Sequence, residues 1–295
     1  MKFLANAGRA PNLYGLAAGV AAAWASTSSS SFAAAGHPVS GQIGMQEAVT
    51  GIAEHIHFLH NVILTPIIFI ISIFVLLLIG WVAYRFNEKR NPNPSRTTHN
   101  AILEVAWTVV PVMILVIIAI PSFRLLTEEL TLPDADVTVK VTGKQWYWTY
   151  DYPKDQGGGF EFDSYLKPAD QLQPGEFRQL AVDNEAVVPV GKIIRVQVTA
   201  ADVIHSFTIP SFGIRIDAVP GRLNETWFKA EREGVYYGQC SKLCGKDHAY
   251  MPIAFKVVSE AQYAAWLTEA KKKFASSSDA PARFAENATP VSTRQ

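Results

Sequence analysis

The chain has 295 residues, 49% hydrophobic and 18% charged, with Lys+Arg and Asp+Glu equal at 26 each. That balance gives no reason to expect a nucleic-acid partner, and two cysteines are too few for a disulfide framework. Mean hydropathy is slightly positive, high for a soluble protein.

Residues 1–35 read as a cleaved signal peptide. Lys2 and Arg9 give a basic start, residues 13–25 are apolar but too short to span a bilayer, and Ala33-Ala34-Ala35 offers a cleavage site after Ala35. The mature N-terminal segment is then 36–60; its first part, 36–50, carries Gly, Pro, Ser and Gln and is expected to be flexible. Residues 61–84 contain no charge and exceed the ~20 needed to cross ~30 Å of hydrocarbon. Pro66 lies near the start of this span, where it is tolerated, and Trp81 and Tyr84 suit the interface. The following loop holds Arg85, Lys89, Arg90 and Arg96, and Asn91-Pro92-Asn93-Pro94 forbids helix there. Basic residues concentrated in a short loop mark the cytoplasmic side of a membrane. Residues 105–123, with Pro111 inside, form a second uncharged span. The prediction is a transmembrane hairpin over 61–132, spans about 62–84 and 105–125, with both termini on the periplasmic side.

Beyond Leu132 the pattern changes to period two: Val137, Val139 and Val141 alternate with Thr138, Lys140 and Thr142. In the aromatic run Trp146-Tyr147-Trp148-Thr149-Tyr150, Trp146 and Trp148 are expected on one strand face and Tyr147 on the other. Further strands are predicted at 177–182, 192–199, 205–209, 226–230, 235–237 and 253–258, separated by turn signals at Gly191, Pro220-Gly221 and Gly234. Many short strands of this kind argue a β-sandwich over 133–260. Ser259 is placed to cap an amphipathic helix over 260–274, and the rest of the 261–295 segment is expected to be disordered.

The chemistry concentrates in Cys240-Ser241-Lys242-Leu243-Cys244-Gly245-Lys246-Asp247-His248-Ala249-Tyr250-Met251, between the last two predicted strands. Both cysteines of the chain are here, four residues apart; His248 follows by four and Met251 by three more, and His205 ends a strand-like run upstream. A bridge between cysteines so close in sequence closes a small loop and stabilises little, so metal ligation is the better reading. Thiolate, imidazole and thioether together select copper. A mononuclear blue-copper site would leave one thiolate unused. Two copper ions with roughly four ligands each are served by two bridging thiolates, His205, His248, Met251 and one backbone carbonyl from the loop between the cysteines. Zinc in a closed Cys₂His₂ site is the competitor, and it leaves Met251 unused. A centre with every position filled by protein suits electron transfer better than bond chemistry.

From residue 50 to 267 the chain resembles subunit II of the haem–copper cytochrome c oxidases. The motifs are Gln145-Trp146-Tyr147-Trp148, Pro220-Gly221-Arg222, Tyr236-Tyr237-Gly238-Gln239-Cys240, and the Cys240/Cys244/His248/Met251 spacing. The resemblance implies a two-helix transmembrane hairpin followed by a cupredoxin-like Greek-key sandwich, making the chain a membrane-anchored all-β protein. It implies a dinuclear copper centre, CuA, held by His205, Cys240, Cys244, His248, Met251 and the backbone carbonyl of Lys242. Electrons would come from cytochrome c and pass to haem a of subunit I, with subunit III as a further partner, for oxygen reduction and proton pumping in that complex. Trp146 matches the family's electron-receiving tryptophan. Glu104 matches the carboxylate at the mouth of a proton pathway in subunit I; taken alone it reads as a helix N-terminal acid. Asp163, Asp183 and Asp202 match acidic positions that dock a basic cytochrome c, although each alone reads as a solvated surface residue.

Asp217 and Arg222 fall in a loop the family sets against subunit I. Where the family usually has a Glu that helps bind magnesium, this chain has Lys242, and an ammonium cannot ligate a hard cation; magnesium binding is therefore doubtful. His55, His57, His60 and His99 belong to no motif, and Asn224-Glu225-Thr226 is a formal glycosylation sequon expected to be idle. Two alternatives are a copper-free quinol-oxidase-type subunit II, which the Cys/His/Met set opposes, and a membrane-anchored metal-binding module. No Cys-x-x-Cys-His motif follows the sandwich, so no fused haem domain is expected.

Overall fold

The structure, a computed structural model, describes residues 36–274. The signal-peptide region 1–35 and the tail 275–295 lie outside the described residues.

Two long helices lead. Helix α1 covers Gly51–Arg85 and includes a π-helical turn at Leu59–Leu64; helix α2 covers Ala101–Leu130. Both start before the uncharged stretches do, because caps rather than hydropathy set their first turns. Thr50 accepts from the Ala53 N–H (3.1 Å) and donates to Phe212 O (2.8 Å), so one hydroxyl both starts α1 and ties it to the sandwich. Asn100 caps the helix by accepting from the N–H groups of Ile102 and Leu103, and Glu104 Oε1, one position past the usual reciprocal acid, accepts from the Asn100 N–H at 3.2 Å. Pro111 and Pro121 sit inside α2 without ending it. Neither helix buries its apolar window within the chain, which leaves both faces for lipid or a neighbouring subunit. His55 Nδ1 lies 2.9 Å from Glu128 Oε2 and links the N-terminal end of α1 to the C-terminal end of α2.

The strands are β1 Val137–Lys144, β2 Tyr147–Tyr152, β3 Phe160–Ser164, β4 Ala186–Pro189, β5 Ile194–Ala200, β6 His205–Ile209, β7 Ile214–Ala218, β8 Asn224–Phe228, β9 Gly234–Gln239 and β10 Pro252–Val258. They form a five-stranded sheet, β3-β2-β1-β5-β8, a three-stranded sheet, β4-β10-β9, and the β6-β7 pair. β1 runs parallel to β5 and β4 parallel to β10; the other pairings are antiparallel. Alternation is strict in β5, whose even-numbered residues Ile194, Val196, Val198 and Ala200 are buried. They join Val139, Val141, Trp148, Tyr150, Phe207, Phe228 and Phe255 in one core drawn from both sheets. Helix α3, Glu260–Phe274, packs Trp266 against Tyr152 and Phe160, and Ser259 caps it by accepting from the Gln262 N–H.

Four sequence expectations need correction. The stretch 177–182 is turn rather than strand, since Gln179 takes φ +67° and breaks the extended path. β3, β4 and β7 were not anticipated; β4 is a fully buried run of four residues with no alternation to read. Trp146 lies in the β1–β2 turn, so it does not share a strand face with the fully buried Trp148. Residues 36–50 are tied to the sandwich near both ends, while Ile43 between them is fully exposed. Gly36 O accepts from the Tyr237 N–H (2.7 Å), Val49 bonds Ser211 O and the Glu231 N–H, and Glu47 pairs with Arg232 at 2.6 Å.

Candidate metal centre

The predicted ligands meet at one end of the sandwich. His205 opens β6 and is fully buried; Cys240 leaves β9, and Met251 leads into β10. The loop between them is tied back to β6 by the Ser241 N–H donating to Ser206 O at 3.0 Å. Both cysteines are free and buried, with their sulfurs 3.9 Å apart. Cys240 Sγ lies 3.9 Å from His205 Nδ1 and 3.3 Å from Lys242 O. Cys244 Sγ lies 3.4 Å from His248 Nδ1 and 3.5 Å from Met251 Sδ. Each sulfur thus faces one imidazole and one further donor, a carbonyl on one side and a thioether on the other. Ligand atoms of His205, Cys240 and Cys244 all fall within 4.8 Å of one another. Buried soft donors, turned toward each other and left unbridged, fit copper.

The surroundings hold the imidazole in a single orientation. Asp202 Oδ1 lies 2.9 Å from His205 Nε2, which leaves Nδ1 for the sulfurs. Asp202 also accepts from the Val203 N–H and, through Oδ2, from the Gln145 N–H at 2.7 Å. Asp202 thus braces the site from an exposed position. Gln145 Nε2 donates to Cys244 O at 2.9 Å, so one side chain and its backbone connect the His205 support to the cysteine loop. Gly143 backs the imidazole closely: a Cβ there would lie 2.9 Å from His205 Cδ2.

Charge follows this geometry. Burial pushes the Cys240 thiol up, but the His205 imidazole, the backbone of Lys242 and Ser206, and Cys244 more than offset it and bring it to about 7. Burial and the neighbouring Cys240 charge hold the Cys244 thiol up, at about 12. Without a cation only one of the two thiols ionises readily; a bound metal ion removes that conflict by favouring both thiolates. Burial alone would lower His205, yet Cys240 and Asp202 raise it. Burial would raise Asp202, yet His205 and the N–H groups of Val203 and Gln145 lower it.

The other predicted residues are spread out. Half-buried Trp146 donates through Nε1 to Cys244 O at 3.3 Å, against the back of the loop. Gly245, at φ +130°, permits this, since a Cβ there would lie 2.8 Å from Trp146 Cζ2. Asp163 is held by Thr149 Oγ1 (2.6 Å), Tyr165 Oη (3.4 Å) and Lys144 Nζ (3.9 Å), and Asp183 accepts from the Tyr165 N–H at 2.8 Å. Glu104 sits at the start of α2, remote in sequence and fold from the sulfurs. The Lys242 side chain is exposed. Asp217 O and Asn224 Nδ2 are joined at 2.6 Å, which occupies the sequon amide. Sequence reasoning missed Gln145 and the role of Asp202; the available signals were the residue before Trp146 and an acid three before His205.

Fold and donor set together define a membrane-anchored, cupredoxin-like protein whose end loop fits copper. Family models for the periplasmic and transmembrane domains of cytochrome c oxidase subunit II match residues 137–258 and 38–125. Cytochrome c oxidase subunit 2 of Cereibacter sphaeroides is 48% identical over 281 residues, covering 88% of this chain and 91% of that one. Its counterpart in Zea mays is 46% identical over 231 residues, covering 77% and 88%. The crystal structure of the periplasmic domain of subunit II from Bradyrhizobium japonicum is 62% identical, with a TM-score of 0.45, covering 49% of this chain and 99% of that one. The chain belongs to the cytochrome c oxidase subunit II family, and so to a haem–copper oxidoreductase complex.

Proposed function

We propose that this chain receives electrons from cytochrome c at a two-copper centre and passes them to haem a of subunit I. The observation that carries it is the facing pair of half-sites, one imidazole and one further donor beside each sulfur. Bound copper would supply a one-electron acceptor. The chain's own part is to fix the donors: Cys240, Cys244, His205, His248, Met251 and the Lys242 carbonyl would hold the copper. Asp202 and Gln145 hold His205 and the Cys244 carbonyl still, which limits rearrangement on reduction. Trp146, bonded to that carbonyl, offers the route from the surface.

The copper domain and both termini are read as periplasmic, with the basic 86–100 loop on the cytoplasmic side; protease accessibility in sealed, oriented vesicles would reverse this if the loop were cut from outside. Glu104 is read as a proton relay into subunit I, so Glu104→Ala should slow oxygen reduction while leaving reduction of the copper centre unchanged. Lys242 leaves no side-chain ligand for magnesium, and manganese exchanged into the complex should show no coupling to this residue. Electron paramagnetic resonance of the purified full chain tests the central reading. A mixed-valence dicopper signal supports it; a silent, zinc-containing protein contradicts it.

A further inference from the structure

A second tryptophan also holds a carbonyl of the ligand loop. Trp146 bonds Cys244 O from a half-buried position, whereas Trp148 bonds Met251 O from inside the core, with Nε1 at 3.1 Å. Trp148 is fully buried and Met251 is 1% exposed. Met251 sits at the seam between loop and strand: His248–Tyr250 form a 3₁₀ turn before it, and pairing of β10 with β9 begins at Pro252. Met251 itself therefore lies outside the ladder. The same indole stands edge-on to the His205 ring, with centroids 5.9 Å apart, and to Phe207 at 5.4 Å. Its cross-strand neighbour is Gly143, whose missing side chain leaves room for His205.

Methionine is unbranched, turns about three side-chain bonds and fills whatever space it is given. Here its Sδ lies 3.5 Å from Cys244 Sγ. Such a side chain keeps one position only if the backbone it projects from is fixed, and the indole bond fixes that peptide. A buried carbonyl that loses its donor is unfavourable, so the loop end would shift to find another. We propose that Trp148 is a positioning residue: its N–H holds the Met251 backbone so that the thioether reaches the metal, and it thereby sets the reduction potential of the centre. A thioether gives electron density to the oxidised ion, so a more distant one favours the reduced ion and raises the potential. The proposal rests on the reading of this loop as a copper site. It gives Trp148 no part in carrying the electron.

The test replaces Trp148 in the full chain by its benzothiophene analogue, which keeps the shape of the side chain and puts sulfur in place of the indole N–H. The potential should rise, by about threefold in the equilibrium constant for reduction, or ~28 mV for a one-electron couple. In selenomethionine-labelled chain, absorption at the selenium edge should show a longer selenium–copper contact in the analogue than with Trp148. Trp148→Phe should shift the potential the same way, but it also leaves a gap, so the analogue decides. An unchanged or lowered potential, or a raised one with the selenium–copper contact unaltered, would overturn the proposal. The copper-free chain gives a reading that needs no metal: the Trp148 N–H should exchange slowly with solvent, and rapid exchange would remove the bond on which the role depends. Copper content of the unsubstituted chain tests the underlying site separately.

Discussion

The helical hairpin and the ligand end of the sandwich are specified in opposite ways. Along α1 and α2 the requirement is apolar character over sufficient length, and no side chain in either apolar window is buried within the chain. At the ligand end each atom has an assigned neighbour: His205 is fixed by Asp202, Cys244 O by Gln145 and Trp146, and the loop by Ser206. The hairpin should therefore tolerate exchange of one apolar residue for another, whereas the ligand end should not tolerate exchange even between similar donors. A membrane anchor needs only a favourable transfer energy, while an electron-transfer centre needs its geometry held in both redox states.

Substitutions can press on this contrast from both sides. Phe255 is fully buried between the sheets, against Tyr150, Phe207, Phe212 and Phe228. Phe255→Ala should cost about 3–5 kcal/mol in chemical denaturation of the sandwich, since the aromatic cluster cannot collapse around the gap. In the hairpin, Leu76→Arg should cost about 3–4 kcal/mol in translocon-mediated insertion, while Leu76→Val should be nearly silent. A large effect of Leu76→Val would show that the helix carries specific packing and would break the contrast. A smaller effect is expected at Glu176, whose carboxyl is lowered by the Gln173 N–H and by Lys167. Its folded-state value is below its unfolded one, so its contribution is fully present above the ordinary carboxylate range and lost as pH falls through the folded value. Glu176→Gln should therefore flatten the acid side of a melting-temperature profile slightly and leave neutral pH almost unchanged.

The same contrast explains what could be read in advance. Hydropathy revealed the hairpin because length and apolarity are one-dimensional properties, but it missed the first ten residues of α1, which are held by the Thr50 cap and not by lipid preference. Spacing revealed Cys240, Cys244, His248 and Met251, since one loop carries them all. That the exposed Asp202 also braces His205 was not legible, because nothing in a sequence states which way a carboxylate points. Gln145 was quoted only as part of a motif, because its two bonds join residues 57 and 99 positions away. β4 escaped notice because burial on both faces erases alternation.

The account stands on two sulfurs sharing the metal. The most direct measurement is copper per chain, by elemental analysis, in the purified wild-type chain and in Cys240→Ser and Cys244→Ser. The account predicts two coppers per wild-type chain and loss of the dinuclear site in either variant, with the sandwich still folded by circular dichroism. A single copper in the wild type, or a full complement retained after either substitution, would contradict it.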